Sequence, residues 1–318
     1  MSELVSSLAS AVVVRPLAAD DLEAVVALDA RTAGASRRAY FERRRAAALR
    51  SPAQHLQLAA TQDGRLVGWM LARLAGGEYG RPEPVVVLEA FGVEPALQRA
   101  GIGRRLFRRL EELALSKGLA AVVTQVDWHN HSMLRFLDAS GFAIAKRHVL
   151  ERGLGRLPEL ADLEPRSLAC RALREADLES LVRIDAEITG APRHAYFQRK
   201  VEEVLRESAV AVSLVAEEDG FPVAFAMARV DGGDYGRLGS VASLDTLGVS
   251  PRFAHRGYGR ALLEQMIDNL SALRVERLET EVARDAFGLL GFLYRAGFEP
   301  SARIPFERAL RPVGDRSH

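Results

Sequence analysis

Two short stretches of the chain hold residue types that could do chemistry. In QRAGIGRRL, residues 98–106, two glycines stand one residue apart between an apolar run and a long amphipathic segment. A helix N-terminus presents unpaired N–H groups and the positive end of the macrodipole, so a bare turn there suits a phosphate. Gly101 and Gly103 would let an anionic group lie on the main chain, although glycines placed for the turn alone fit the same string. The second stretch is VVVLEAFGV, residues 85–93, where Glu89 interrupts an apolar run. A carboxylate is costly to bury without a partner or a task. Glu89 is therefore a candidate catalytic carboxylate, such as a general base acting directly or through water, with an exposed or arginine-paired carboxylate as the plain alternative. Residues 89, 91 and 93 of a regular strand share one face, so Glu89 is expected to point the same way as Phe91 and Val93.

The elements that must position these residues are written twice. TAGASRRAYFERR at 32–44 returns as ITGAPRHAYFQRK at 188–200, GGEYGR at 76–81 as GGDYGR at 232–237, and LEAFGVEP at 88–95 as LDTLGVSP at 244–251. The offset is 156 residues throughout, which leaves no room for insertions between the elements. Repeats of this size are duplicated domains rather than solenoid units, here 1–153 and 166–318, joined by a Gly- and Pro-containing linker at 154–165. Each copy reads as β-α-α-β-β-β-α-β-α-β-β, with Asp63-Gly64 and Asp219-Gly220 as hairpin signals and a last pair of strands closing each unit. The fold class is α/β, with a mixed, mostly antiparallel sheet flanked by helices in each half.

Other phosphate loops fit poorly. A Walker A loop needs Gly-Lys-Ser/Thr, which is absent, and a dinucleotide loop wants a third glycine where Leu106 stands. Asp127, after the next strand, is the residue that could serve as that loop's ribose acid. The full series, Q-x-x-G-x-G after a strand, then Asn130, then SGF, resembles the GNAT-type N-acetyltransferases over nearly the whole chain, as two tandem GNAT-like domains. The resemblance implies that the turn holds the pyrophosphate of acetyl-coenzyme A through Gln98, Arg99, Ala100, Gly101, Ile102, Gly103 and Arg104, and through Gly257 and Gly259 in the second copy. It further implies a main-chain N–H at Phe91 to Val93, Val93 above all, that polarises the thioester carbonyl and contacts the coenzyme. Asn130 would bond the pantetheine arm, besides suiting a helix N-cap. The second copy departs from the pattern, with Ala254 and Ala286 at the positions of Gln98 and Asn130, so the N-terminal half is the better-equipped catalyst.

Family members often carry a tyrosine four residues before the glycine of the Gly-Phe pair, to protonate the sulfur. Leu137 and Leu293 stand there instead, and Tyr294 is one residue late. On the acceptor side the resemblance points to the first two helices and the loop before the central strand, hence Arg37, Tyr40, Glu78 and Tyr79. An acid beside an aromatic suits a cationic amine, while Tyr40 also fits a helix core position. Asp127, His129 and His131 could be drawn as a metal site, but neighbours two apart on a loop are commonly exposed polar residues, and no metal is expected.

Composition bounds the partners. The 318 residues, 48% hydrophobic and 27% charged, carry a net charge of +1, which favours neither nucleic acid nor a membrane surface. The lone Cys170 excludes an internal disulfide, and no run of about 18 apolar residues exists. MSELVSSLASAVVV lacks a basic n-region and reads as a short tail. A cytoplasmic enzyme acting on a small-molecule or peptide amine is expected, with a homodimer open. An acyl-coenzyme A-binding sensor or scaffold, silent in one or both halves, is the competing reading.

Overall fold

The computed structural model describes residues 11–81, 83–155, 168–207, 212–232, 234–237 and 239–310. The leading tail and most of the expected linker lie outside these residues. The first copy runs β1 (Val13–Pro16), α1 (Leu22–Ala33), α2 (Arg38–Arg50), β2 (His55–Gln62), β3 (Arg65–Ala75), β4 (Val85–Val93), α3 (Ile102–Ser116), β5 (Ala121–Asp127), α4 (His131–Ala139), β6 (Ala143–Ile144) and β7 (Arg147–Gly153). The second runs β8 (Cys170–Ala172), α5 (Leu178–Thr189), α6 (His194–Glu207), β9 (Leu214–Glu218), β10 (Phe221–Gly232), β11 (Ser240–Val249), α7 (Tyr258–Ala272), β12 (Arg277–Ala283), α8 (Phe287–Arg295), β13 (Glu299–Pro300) and β14 (Arg303–Ala309). The element order read from the sequence is thus present in both copies.

Local sequence explains the main elements. Asp63 and Gly64 both adopt positive φ, 52° and 75°, and Asp219 and Gly220 repeat this at 52° and 80°, as a tight two-residue hairpin turn requires. In α3 the apolar residues Ile102, Leu106, Phe107, Leu110 and Ala114 fall on one stripe and are buried, whereas Arg104, Arg105, Arg108 and Arg109 face water. That stripe packs on Val86, Leu88, Val122 and Val126 of the first sheet. The opposite face of the same sheet buries Val25, Leu28, Tyr40 and Phe41 from α1 and α2 against Trp69, Leu71 and Ala90. The second copy repeats both layers around α7 and around α5 and α6.

Each copy contributes to a seven-stranded sheet, in the orders β1-β2-β3-β4-β5-β14-β6 and β13-β7-β12-β11-β10-β9-β8. Among the described residues only β4–β5 and β11–β12 pair in parallel. The expectation that each copy closes on its own last pair of strands is overturned. The long closing strands are exchanged: β14 of the second copy pairs antiparallel with β5 of the first from Arg303↔Asp127 to Ala309↔Ala121, and β7 of the first pairs with β12 of the second from Arg147↔Ala283 to Gly153↔Arg277. RHVLERG and RIPFERA are copies of one another, so either strand satisfies either edge, and sequence pattern alone does not choose between them.

The exchange has a direct test. Residues 1–155 made alone leave the outer edge of β5 unpaired and β7 without a sheet, a liability that strands relieve by swapping. This fragment is expected to elute as an exchanged dimer or to aggregate. A folded monomer on size-exclusion chromatography with light scattering would contradict the topology.

Candidate active site

The glycine turn forms one wall of a cleft of about 810 Å³ in the N-terminal half. Gly101, at φ +81°, is the N-cap of α3 and provides no side-chain cap, and Arg99 just before it is also left-handed at φ +69°. The first-turn N–H groups therefore have no side-chain acceptor, in contrast to α4, where the Asn130 carbonyl oxygen accepts from the Met133 N–H at 3.1 Å. A Cβ on Gly101 would meet nothing within 4 Å, so the turn geometry rather than crowding requires glycine there; at Gly103 a Cβ would come to 3.1 Å from the Phe136 ring. Gln98, Arg99, Gly101, Ile102, Gly103 and Arg104 all line the cleft, with Ile102 buried beneath it. Ala100 flanks them. This surface fits a diphosphate. In the second copy Gly257 caps α7 in the same way, again without a side-chain cap.

The second wall is the gap between β4 and β5. Their parallel ladder consists of Val86↔Val122 and Val87↔Val123, after which the strands part. Thr124 Oγ1 donates to the Leu88 carbonyl at 2.9 Å where the gap begins. The Glu94 N–H turns to β3, donating to the Val67 carbonyl at 2.9 Å, so the main chain of the preceding residue faces the other edge. The Val93 carbonyl accordingly accepts from Gln98 Nε2 at 3.4 Å, on the side of the glycine turn. The Val93 N–H shares that orientation and looks into the gap.

Glu89 requires a correction. It does not share a face with Phe91 and Val93, because a β-bulge intervenes. Leu71 on β3 pairs with Ala90 and Ala72 with Leu88, leaving Glu89 as the extra residue. The alternation switches there: Val86 and Leu88 belong to the α3 layer, and so do Phe91 and Val93, whereas Ala90 joins the α1–α2 layer. Glu89 is turned to the α2 side, 2% exposed, with its Oε1 at 2.9 Å from Arg73 Nε and 3.2 Å from Arg44 Nη2. Asp245 occupies the same bulge position in the second copy, between Met227↔Thr246 and Ala228↔Leu244, and pairs with the Lys200 ammonium at 2.7 Å. The arginine-paired alternative is thus the observed environment of the Glu89 carboxylate, while the residue itself is among those lining the cleft.

The loops expected to line the acceptor side cross between copies. Glu78 and Tyr79 turn away from the first cleft toward the second copy. Burial alone would raise the Glu78 carboxyl, but Lys200 and Arg73 outweigh it and hold it below its usual range. The first cleft is instead walled by Tyr235, Gly236 and Arg303, all from the second copy. Tyr235 packs over Val85, Val87, Ala121 and Val123, and burial with Asp234 nearby pushes its phenol up, so it remains protonated across the physiological range. Arg44 of α2 reaches across to Asp234 at 2.6 Å. Tyr40 is a core residue, stacked edge-on to Phe41 at 5.1 Å. Arg37 borders the cleft but is buried and committed to Asp29, with Nε–Oδ2 at 2.9 Å. The second-copy tyrosine loop was visible as a repeat, yet only the strand exchange assigns it to the first cleft.

The corresponding wall of the second copy is tightly packed. Lys200 and Asp245 are both 1% exposed at their side chains, and the Tyr196 hydroxyl is 2.5 Å from Thr246 Oγ1. Gly77 lies so close to the Tyr196 ring that a Cβ would sit 2.5 Å away. Arg193 and Arg199 hold the same loop by its Gly77 and Gly76 carbonyls, at 2.5 and 2.8 Å. Ala286 gives α8 no side-chain cap. Leu137 and Leu293 are buried, and Tyr294 is 45% exposed on the outer face of α8. His129 is an exposed ring at 3.0 Å from Asp127 Oδ1, and His131 is exposed beside it. No described helix is long and apolar enough to cross a membrane.

A bare helix N-terminus beside a parted central strand, present in duplicate, defines the class: two N-acetyltransferase-type halves in one chain. The chain belongs to the acetyltransferase (GNAT) family, whose model matches residues 22–142 and again 178–298, and it is an N-acetyltransferase. It is 27% identical over 263 residues, 78% of each chain, to the mycothiol acetyltransferase of Clavibacter michiganensis subsp. michiganensis (strain NCPPB 382). Among solved structures, a tandem GNAT protein from the clavulanic acid biosynthesis pathway shares the fold with a TM-score of 0.63 at 19% identity, covering 95% of this chain and 100% of that one. A GCN5-related N-acetyltransferase from Sphaerobacter thermophilus gives 0.62 at 18% identity, over 95% and 96% of the two chains. Enzymes of this family generally use acetyl-coenzyme A and act on amines.

Proposed function

We propose that the N-terminal half transfers the acetyl group of acetyl-coenzyme A to a primary amine of a small molecule or peptide, by direct attack within one ternary complex. The observation that carries this reading is the junction at Val93: one cleft joins the uncapped start of α3 to an N–H facing the β4–β5 gap. The amides from Gly101 onward, with Arg99 and Arg104 nearby, would hold the diphosphate, and Asn130 would meet the pantetheine arm. The coenzyme supplies the activated acetyl thioester. A fixed N–H aimed at developing oxyanion charge contributes on the order of 2.7–4 kcal/mol, which is the role assigned to Val93. Glu89, at the bulge and held between two guanidiniums, is assigned the proton from the acceptor ammonium, relayed through water. The relative named for mycothiol, a small molecule, supports a small-molecule acceptor.

The second half reads differently. Ala254 and Ala286, in place of Gln98 and the capping Asn130, favour a coenzyme-binding or purely structural role there. A thiol-release assay across a panel of primary amines tests the whole proposal: free thiol is expected to appear only when acceptor is present. Thiol release without amine dependence, or none with any amine, would favour the scaffold reading for both halves.

A further inference from the structure

The two copies differ at a charged pair beside the exchanged strands. In the second sheet, Arg147 of the exchanged strand β7 pairs with Glu281 of β12, with Nε–Oε1 at 2.5 Å, a carboxylate it shares with Arg81 at 2.6 Å. The same two positions in the first sheet are Arg303 of β14 and Gln125 of β5, so the carboxylate has become a neutral amide. Gln125 is itself engaged, its Nε2 donating to Glu281 Oε2 at 3.2 Å. Other carboxylates nearby are occupied too. Glu279 pairs with Arg237, and Asp127, opposite Arg303 in the ladder, accepts from the His129 N–H at 2.9 Å.

Arg303 is left with a main-chain contact, Nη2 to the Tyr235 carbonyl at 3.3 Å, and a guanidinium 5.9 Å from the Tyr235 ring centroid. Its Nη1 is buried without a hydrogen-bond partner among the described residues. Burial, with Arg237 beside it, pulls the guanidinium down to about 10. An unpaired buried cationic donor is expensive, and a fold keeps one where something else completes it. Arg303 lines the cleft, but not on the coenzyme side. Its neighbour Ile304 packs into the α3 layer, so Arg303 projects from the opposite face of the sheet, where Tyr235 lies.

We infer that the acceptor carries an anionic oxygen group, carboxylate or phosphate ester, in addition to its amine, and that this group completes Arg303 in the place left by the Gln125 substitution. Glu89 and Arg303 then sit on one chamber as the two poles that orient the acceptor, its ammonium toward the acid and its anion toward the guanidinium. The second copy supplies the specificity of the first. The inference rests on the acceptor binding in the N-terminal cleft, as proposed above.

The test is calorimetric titration of coenzyme A-saturated protein with matched amines: an amino carboxylate against its carboxamide, and an amino phosphate ester against its alcohol. Wild type is expected to bind one anionic member roughly 10- to 100-fold more tightly than its neutral match, the range of one charge-assisted hydrogen bond, and the pair showing the preference names the anion. Arg303→Met is expected to erase the preference while raising the melting temperature, because it removes an uncompensated charge. Gln125→Glu, which offers Arg303 a carboxylate as Glu281 does Arg147, is expected to erase it as well, while lowering the melting temperature because the amide donor to Glu281 is lost and a second carboxylate faces it. Equal affinities within both pairs, no binding of any member, or a preference that survives Gln125→Glu would overturn the inference. Thiol release with the neutral amines is read separately, and its presence leaves the acetyl-transfer reading standing whatever the anion result.

Discussion

Gly101→Asp is expected to abolish coenzyme A binding to the N-terminal half. The position is open, with no heavy atom within 4 Å of the point a Cβ would occupy, so an aspartate fits without displacing protein. Its carboxylate would stand where the uncapped amides of α3 offer their positive end. Two like charges about 4 Å apart repel by roughly 4 kcal/mol at an effective dielectric of 20, close to a thousandfold in affinity. The left-handed φ of +81° adds a strain term that must be separated from the charge. Gly101→Ala supplies that control, since it carries only the backbone cost of about 1–2 kcal/mol. Calorimetry with coenzyme A should therefore rank wild type, alanine and aspartate in that order, with a wide gap before aspartate. An aspartate variant whose N-terminal half binds like wild type would remove the diphosphate assignment.

Glu89→Gln and Asp245→Asn form the second experiment, in which stability and chemistry are expected to diverge. Both acids are 2% exposed at bulges of the central strand, and both neutralise buried cations: Arg73 and Arg44 in one case, Lys200 in the other. Removing one partner of a buried pair costs about 3–5 kcal/mol, so both variants should melt several degrees below wild type. Lys200 is held above its ordinary range because Asp245 and Glu203 together outweigh its burial, which makes Asp245→Asn the sharper structural probe. Turnover normalised to folded protein should separate them. Glu89→Gln is expected to lose about 10²- to 10⁴-fold, the span of a general base, whereas Asp245→Asn should turn over as wild type does. The opposite pattern would move the chemistry into the second half, and normal rates for Glu89→Gln at all pH values would leave that carboxylate a structural role.

Much of the fold was legible because the duplication supplies two readings of every element. Asp63-Gly64 and Asp219-Gly220 mark the same hairpin, and the stripe from Ile102 to Ala114 marks the helix behind the glycine turn. Two features escaped. Strand alternation placed Glu89 beside Phe91, and a bulge, which adds a residue without altering the apolar pattern, reversed it. The exchange of β7 and β14 escaped for a deeper reason: two copies of one strand fit two copies of one edge, and the choice is made by chain connectivity in three dimensions. With it went the assignment of Tyr235 and Arg303, since the loop and strand were recognised but belonged to the neighbouring cleft.

The mutual clasp of β7 and β14 bears on why a chain would keep both copies. Deleting the second would strip the first sheet of an edge and the first cleft of a wall, so drift in either copy is confined to its own interior. Duplication here has become irreversible: the copies can specialise, but neither can be discarded.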